Sequence, residues 1–257
     1  MQRERLIFIV APVVVTVATI ALWELVCAAF SIEKFLLPRP SLVWHTLVES
    51  FGPIMYNATF TLTTTLIGFA LSIVVGMVLG VAIGASLYAY AGLYPLLVAF
   101  NSVPKVALVP ILVIWFGTGA VPAVITAFSA AFLPIAVNVA TGLITLEPEL
   151  RDVLRALGAS KLQVIRIVGI PRSLPFFFAS LKIAIAFAFV GAVVSETVAA
   201  DRGIGFMMIA ASSRFDVPLV FAGLVVVAAM GVVMYAICVL LERRYIGWAV
   251  RGLEGIT

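Results

Sequence analysis

Six polar side chains interrupt otherwise apolar runs and are the residues through which this chain could do chemistry: Asn101, Lys105, Asn138, Lys182, Ser195 and Glu196. In an apolar path the two lysines can draw in an anion, and the amides and hydroxyl can offer hydrogen bonds. Each lysine has a second reading. Lys105 can snorkel to an interface or pair with a carboxylate, and Lys182 can be neutralised by Glu196 or by a neighbouring subunit. Covalent chemistry has no comparable foothold. The sequence contains no phosphate-binding GxxxxGK[ST] loop, no HExxH and no CxxC, and no nucleophile lies beside a base. One histidine, His45, cannot build a histidine metal site, and at the end of its segment it reads as an interfacial residue.

The elements that carry these residues belong to a membrane. With 64% apolar residues, 11% charged residues and a mean hydropathy of +1.24, the chain lacks the charged surface that a soluble core of its size requires. The excess of 16 Lys and Arg over 12 Asp and Glu reflects orientation in a bilayer rather than nucleic-acid binding, because no basic and aromatic interleaving accompanies it. The run Leu6 to Phe30 is too long for the apolar part of a cleavable signal and is expected to stay as the first span. Glu24 near its end is expected either at the interface, capping a neighbouring helix, or as a ligand of an ion or solute. Cys27 and Cys238 fall at opposite membrane surfaces, which excludes a disulfide between them.

Five further spans follow. Residues 31–53 form a connection in which Ser41 caps a short amphipathic helix through Val48. The second span covers Ala58 to Leu87, with Gly76, Gly80 and Gly84 repeating on one face so that another helix can approach closely. A turn at Tyr88 to Leu93 leads to a third span, Tyr94 to Phe116, interrupted by Asn101, Pro104, Lys105 and Pro110. The interruption either lines a protein interior near a pathway or lies near a surface. A Gly117 to Gly119 turn precedes the fourth span, Val121 to Leu143, with a break expected at Pro134 and Asn138. The fifth runs from Leu174 to Ala199, starting with Pro175, and the last from Asp216 to about Leu241. Ten basic residues then fall on one side and four on the other, placing both termini in the cytoplasm.

The longest polar interval, Glu147 to Pro175, sits on that cytoplasmic side. Leu150, Val153, Leu154 and Leu157 form one apolar stripe with Arg151, Asp152 and Arg155 off it, and Gly158 closes the helix. Such a stripe needs cover, from a soluble partner's groove or from the lipid surface.

Several stretches of this chain resemble one family. Asp152-Val153-Leu154, Gly158 and Val168-Gly169-Ile170-Pro171 stand where permeases of bacterial ATP-binding cassette (ABC) importers carry Glu-Ala-Ala, a glycine and Ile-x-Leu-Pro. Leu37 to Trp44, Ser102 to Gly117 (with Lys105 where a second proline is common), and GAVVSET followed by Gly203-Ile204-Gly205 resemble the nitrate, sulfonate, taurine and bicarbonate branch of that family. The resemblance implies an all-α, polytopic fold of six transmembrane helices, the type I ABC importer transmembrane domain (MetI-like). It further implies a single permease domain over residues 1–257 with a coupling loop at 146–173. ATPase coupling then falls to Glu147, Leu150, Arg151, Asp152, Leu154, Arg155, Gly158, Ala159 and Ser160. The implied partners are a second permease subunit, two cytoplasmic ATPases that hold ATP and Mg, an external solute-binding protein and membrane lipid; the chain itself needs no cofactor. The expected cargo is a small anion such as nitrate, a sulfonate or taurine, with a vitamin or pyrimidine precursor or riboflavin as the alternative. A stand-alone secondary transporter would show its interrupted helices in both halves, and the sequence interrupts only one.

Overall fold

The computed structural model describes residues 2–145 and 148–250, without the side chains of residues 2–9, 148, 151, 161 and 247–250. Along the described chain run α1 (Gln2–Ala29), α2 (Pro40–Glu49), α3 (Phe51–Gly84), α4 (Leu87–Asn101), α5 (Lys105–Phe116), α6 (Ala120–Ile144), α7 (Pro148–Ala156) and α8 (Lys161–Val164). A π-helical turn at Ile165–Gly169 leads into α9 (Ile170–Ala199), followed by α10 (Ile204–Ser212) and α11 (Val217–Val250). Among the described residues, five segments are long and apolar enough to cross a membrane alone, and α4 with α5 makes a sixth if the bent pair counts as one span.

The centre of the bundle is the sandwich of α3, α6 and α9, and small residues set its spacing. A methyl group built on Gly68, Gly76, Gly80 or Gly84 of α3 would stand 2.6–2.9 Å from Ala127, Phe132, Ile135, Ala136, Val139, Ala140 or Leu143 of α6. Backbones this close maximise dispersion contacts, which drive helix association where lipid removes the hydrophobic difference. Ser72 continues the four-residue repeat and donates its hydroxyl to Gly68 O (2.8 Å) and lies 3.1 Å from Phe128 O across the interface. On the other side of α6, Gly191 of α9 packs against Thr126 and Ala127. Ala127, Ala131, Ile135 and Val139 of α6 and Leu181, Ala184, Ile185 and Ala188 of α9 are buried between them.

Helix limits depart from the sequence expectation where the chain is apolar on all sides and periodicity carries no signal. Helix α3 begins at Phe51 rather than Ala58 because Pro53 fits a first turn, and the turn falls at Ala85–Ser86 rather than at Tyr88 to Leu93, which is helical. Ser41 lies inside α2 instead of capping it. Glu24 of α1 does the capping: its carboxylate accepts the Ser41 N–H (2.9 Å) and hydroxyl (2.8 Å). Helix α6 does not break at Pro134; the helix runs through, and the Asn138 amide donates to Pro134 O at 2.8 Å. Pro134 faces a cavity, where a carbonyl released by proline is tolerated. Pro175 lies within α9, which starts at Ile170, and α11 runs past Leu241 to a non-helical residue at Ile246. The Gly117 to Gly119 turn is as expected, both glycines having positive φ (76° and 116°), and Gly119 N–H donates to Ala199 O.

Candidate functional site

The third span is broken, not merely kinked: α4 and α5 meet at 83° across Ser102-Val103-Pro104. Pro104 lacks an N–H and disfavours helix at Val103, so the regular helix α4 is interrupted there. A helix ending inside an apolar layer leaves carbonyls without partners. Lys105, the first residue of α5, reaches back to supply them: its ammonium donates to Phe100 O (2.9 Å), Asn101 O (3.1 Å) and Val103 O (3.1 Å). It also lies 5.1 Å from the Phe100 ring centre. The break borders a cavity of about 310 Å³ between α5, α6 and α9. Asn101, Ser102 and Lys105 bring polar groups to it, Thr126 adds a hydroxyl, and Pro134, Phe187, Val190 and Val194 form apolar walls. Two of those hydroxyls are already spent on their own helices, Ser102 on Val98 O and Thr126 on Pro122 O. This volume lies at the small end of the range for sites that hold a low-molecular-weight ligand, about 300–1,000 Å³.

Of the six polar residues singled out in the sequence, Asn101 and Lys105 line this cavity. Asn138 is half-buried further along α6. Lys182 pairs with Glu242 of α11 (2.8 and 3.0 Å), not with Glu196, which follows it by 14 positions on the same helix, about 21 Å at 1.5 Å per residue. Ser195 and Glu196 are buried near the far end of α9. Glu196 accepts the Gly205 N–H (3.0 Å) and the Thr61 hydroxyl (2.8 Å). Thr61 Oγ1 in turn accepts the Ile204 N–H (2.9 Å), and Asn57 Oδ1 accepts the Gly203 N–H (2.8 Å). Three successive N–H groups at the start of α10 are thereby held by α3 and α9, answering the unpaired donors of a helix N-terminus. Gly203 has φ +110°, and a methyl group there would fall against the Glu196 carboxyl group, so glycine is required. Sequence reasoning missed Asn57, Thr61 and Glu242, whose partners lie 60 to 146 positions away.

At the opposite end of the bundle, α7 carries the expected stripe, and the bundle leaves it open. Val153 is 58% exposed and Leu157, in the turn just after the helix, 78%, while Leu150 and Leu154 are half-buried; Asp152 and Arg155 are at the surface. Gly158 ends the helix at φ +86°, with Ala159 N–H on Leu154 O and Gly158 N–H on Arg155 O, the bonding of a glycine C-terminal cap. Ser160 and Gln163 then form a reciprocal cap at the start of α8, Ser160 N–H on Gln163 Oε1 (2.7 Å) and Gln163 N–H on Ser160 Oγ (3.3 Å). Arg151 lies on α7, and Glu147 falls outside the described residues. Between this segment and α9 the π-helical turn is closed by Ile170 N–H on Ile165 O, one residue further back than an α-helical bond. Pro171 explains it, since its ring would clash with the Ile167 carbonyl of a regular helix and it has no N–H to offer.

Among the described residues no group of three or more His, Cys, Asp or Glu side chains could hold a metal ion. Long apolar helices packed through glycines, with a broken span bordering a half-open cavity and a surface helix left open at one end, define a polytopic membrane permease. The chain belongs to the family described as binding-protein-dependent transport system inner membrane component, whose model matches residues 72–247. It is similar to the riboflavin transport system permease protein of Chloroflexus aurantiacus (35% identity, covering 88% of this chain and 85% of the relative). It is also similar to the formylaminopyrimidine transport permease protein of Halalkalibacterium halodurans (32%, covering 88% and 91%) and to the taurine transport system permease protein of Escherichia coli (28%, covering 89% and 86%). A chain of the inward-facing MetNI methionine ABC transporter shares the fold, with a TM-score of 0.68 at 18% identity over 77% of this chain and 98% of that one. The family is therefore that of ABC-type permeases, while the named solutes of its relatives span several chemistries.

Proposed function

We propose that the cavity inside the α4–α5 break lies on the path by which an ABC importer passes a small, largely uncharged heterocyclic solute. The observation that carries this reading is the ammonium of Lys105. All three of its donors are engaged with carbonyls, so an anion would have to displace a helix cap to be bound directly. The remaining walls are mostly apolar with one aromatic ring, Phe187, which suits a flat ring system. The relatives with 35% and 32% identity are named for riboflavin and formylaminopyrimidine, chemistry of that kind. A small anion is the second reading, favoured by the relatives named for taurine and aliphatic sulfonates.

In this reading α7 and α8 face the cytoplasm with both termini, following the basic-residue asymmetry. Two ATPase subunits dock on the open α7 stripe, a second copy of the chain completes the path, and a solute-binding protein delivers cargo at the end that carries α2 and α10. ATP closes the ATPases, the π turn at Ile165–Gly169 passes the movement to α9, and the cavity wall moves with it. The test is purification of the tagged chain from its native membrane with the partners that accompany it, followed by mass spectrometry of the retained small molecule. A neutral heterocycle together with an ABC ATPase is expected; a bound sulfonate or nitrate would select the second reading, and the absence of any ATPase would remove both.

A further inference from the structure

We infer that Lys105 is a positioning residue of the transport path: its ammonium caps the free end of α4, holds α5 at its angle and keeps the cavity open. This rests on the reading that the cavity lies on the path. A cation at the first position of a helix faces the positive end of that helix's dipole and is out of place there. Lys105 escapes the mismatch by folding back over four positions onto the C-terminal carbonyls of the preceding helix, where the dipole favours it. The hydrogen bonds divide the labour. Ser102 N–H and Val103 N–H close the last turn of α4 on Val98, Ala99 and Phe100, while the carbonyls of Asn101 and Val103, past that turn, receive Lys105. One side chain thus bonds to the last residue of α4 and to the middle of the connecting loop while being rooted in α5, so the three pieces move as one.

The position is set further by what surrounds it. The Phe100 ring lies 5.1 Å from the ammonium and stacks edge-on against Phe132 of α6, with ring centres 5.9 Å apart. The cap is therefore tied to the central helix, and Asn101, Ser102 and Lys105 are presented to the cavity by the same turn. Loss of the ammonium leaves the Asn101 and Val103 carbonyls without a donor. The remedy open to the chain is a proline-kinked helix across the break, in which the backbone N–H groups of Lys105 and Ala107 take over the Asn101 and Val103 carbonyls, and this opens the 83° bend. Straightening moves α5 away from α6 and α9 and dismantles the cavity.

The experiment uses the complete complex of permease, ATPase and solute-binding protein in lipid nanodiscs, with spin labels at Leu96→Cys and Ile114→Cys, both exposed positions on the two arms of the bend. At 1.5 Å per residue, opening the bend fully lengthens the distance between the labelled positions by about 5 Å. Lys105→Met is expected to shift and broaden the distance toward that limit and to lower binding-protein-stimulated ATP hydrolysis about tenfold. Lys105→Arg, which keeps a charged donor, restores both to within about twofold, and Lys105→Gln, neutral with two donors, falls between. If Lys105→Met cannot be assembled, the Gln variant carries the same test. An unchanged distance in both neutral variants overturns the proposal. A lengthened distance with wild-type stimulated hydrolysis leaves the cap standing but removes the cavity from the path, and the positioning role goes with it. Taurine and sodium nitrate serve as anionic probes: a change in the wild-type distance on adding either one, absent in Lys105→Gln, would make Lys105 an anion ligand and overturn the commitment of its donors to the cap.

Discussion

Replacing Glu242 by Gln leaves Lys182 with its charge and without its counter-charge. The pair is direct, with Nζ 2.8 and 3.0 Å from the two carboxylate oxygens, and the side chains are only 22% and 15% exposed. Removing one partner of a buried pair costs about 3–5 kcal/mol, because the survivor stays desolvated. The residual exposure of Lys182 lets its ammonium lean toward water or headgroups, which reduces the expected loss to about 2–3 kcal/mol. Replacing both residues with apolar ones of similar length, Lys182→Met with Glu242→Leu, removes the uncompensated charge along with the attraction and is expected to stay within about 1 kcal/mol of the wild type. The order of stabilities is therefore wild type, close to the double variant, then either single variant well below. Equilibrium unfolding in lipid bicelles, measured for all four proteins, gives the cycle directly. A Glu242→Gln protein that loses less than about 0.5 kcal/mol would show that the pair behaves as an exposed one. A double variant less stable than both singles would show that the ion pair, rather than the avoidance of a lone charge, holds α11 to α9.

Gly80→Leu forces a branched side chain into a contact where even a methyl group would lie 2.7 Å from Val139. Separation of α3 from α6 should cost about 1–3 kcal/mol, read as a lower unfolding midpoint. Gly205→Ala places a methyl group against Val193 O and 2.8 Å from Glu196 Cβ, and should release the start of α10, seen as faster amide exchange at residues 203–207 with protection of α6 unchanged. Glu196→Ala is expected to do the same by leaving the Gly205 N–H without its acceptor and the Thr61 hydroxyl with only the Asn57 carbonyl, at about 1–3 kcal/mol. Leu157→Glu in the turn just after α7 should leave the stability of the isolated permease within about 0.5 kcal/mol while weakening ATPase association about 10- to 100-fold in a titration, the loss of one buried leucine.

The sequence displayed the bundle more clearly than its joints. Runs of apolar residues, the glycine repeat of α3, the Gly117–Gly119 turn and the glycine end of α7 were legible because each depends on local chemistry: hydropathy, side-chain size or a positive φ. Glu24 was legible to the extent of its alternatives, since a carboxylate near a span end has few things to do besides capping. The start of α3 and the turn at Ala85–Ser86 were misplaced because lipid-facing and core-facing residues are equally apolar, which erases the periodicity that marks helix limits in soluble proteins. The partner of Lys182 and the hold on α10 by Asn57, Thr61 and Glu196 depend on neighbours far apart in the chain, which no local pattern announces. Pro134 and Pro171 show the same residue type with different outcomes. One is carried through an intact helix beside a cavity, and the other widens a turn at the junction with the coupling segment. Lys105 was found from its oddity in an apolar run, but its role follows from three carbonyls whose positions only the fold supplies.

Force is proposed to enter this chain through α7 and α8 and to come from nucleotide hydrolysis in a separate subunit. The most direct measurement is uptake of the co-purified solute into proteoliposomes containing the chain with its solute-binding protein, compared with and without the ATPase and internal ATP. No accumulation against a gradient is expected unless both ATPase and ATP are present, and Leu157→Glu is expected to lose that accumulation despite normal insertion. Concentrative uptake by the permease and binding protein alone would contradict the proposal.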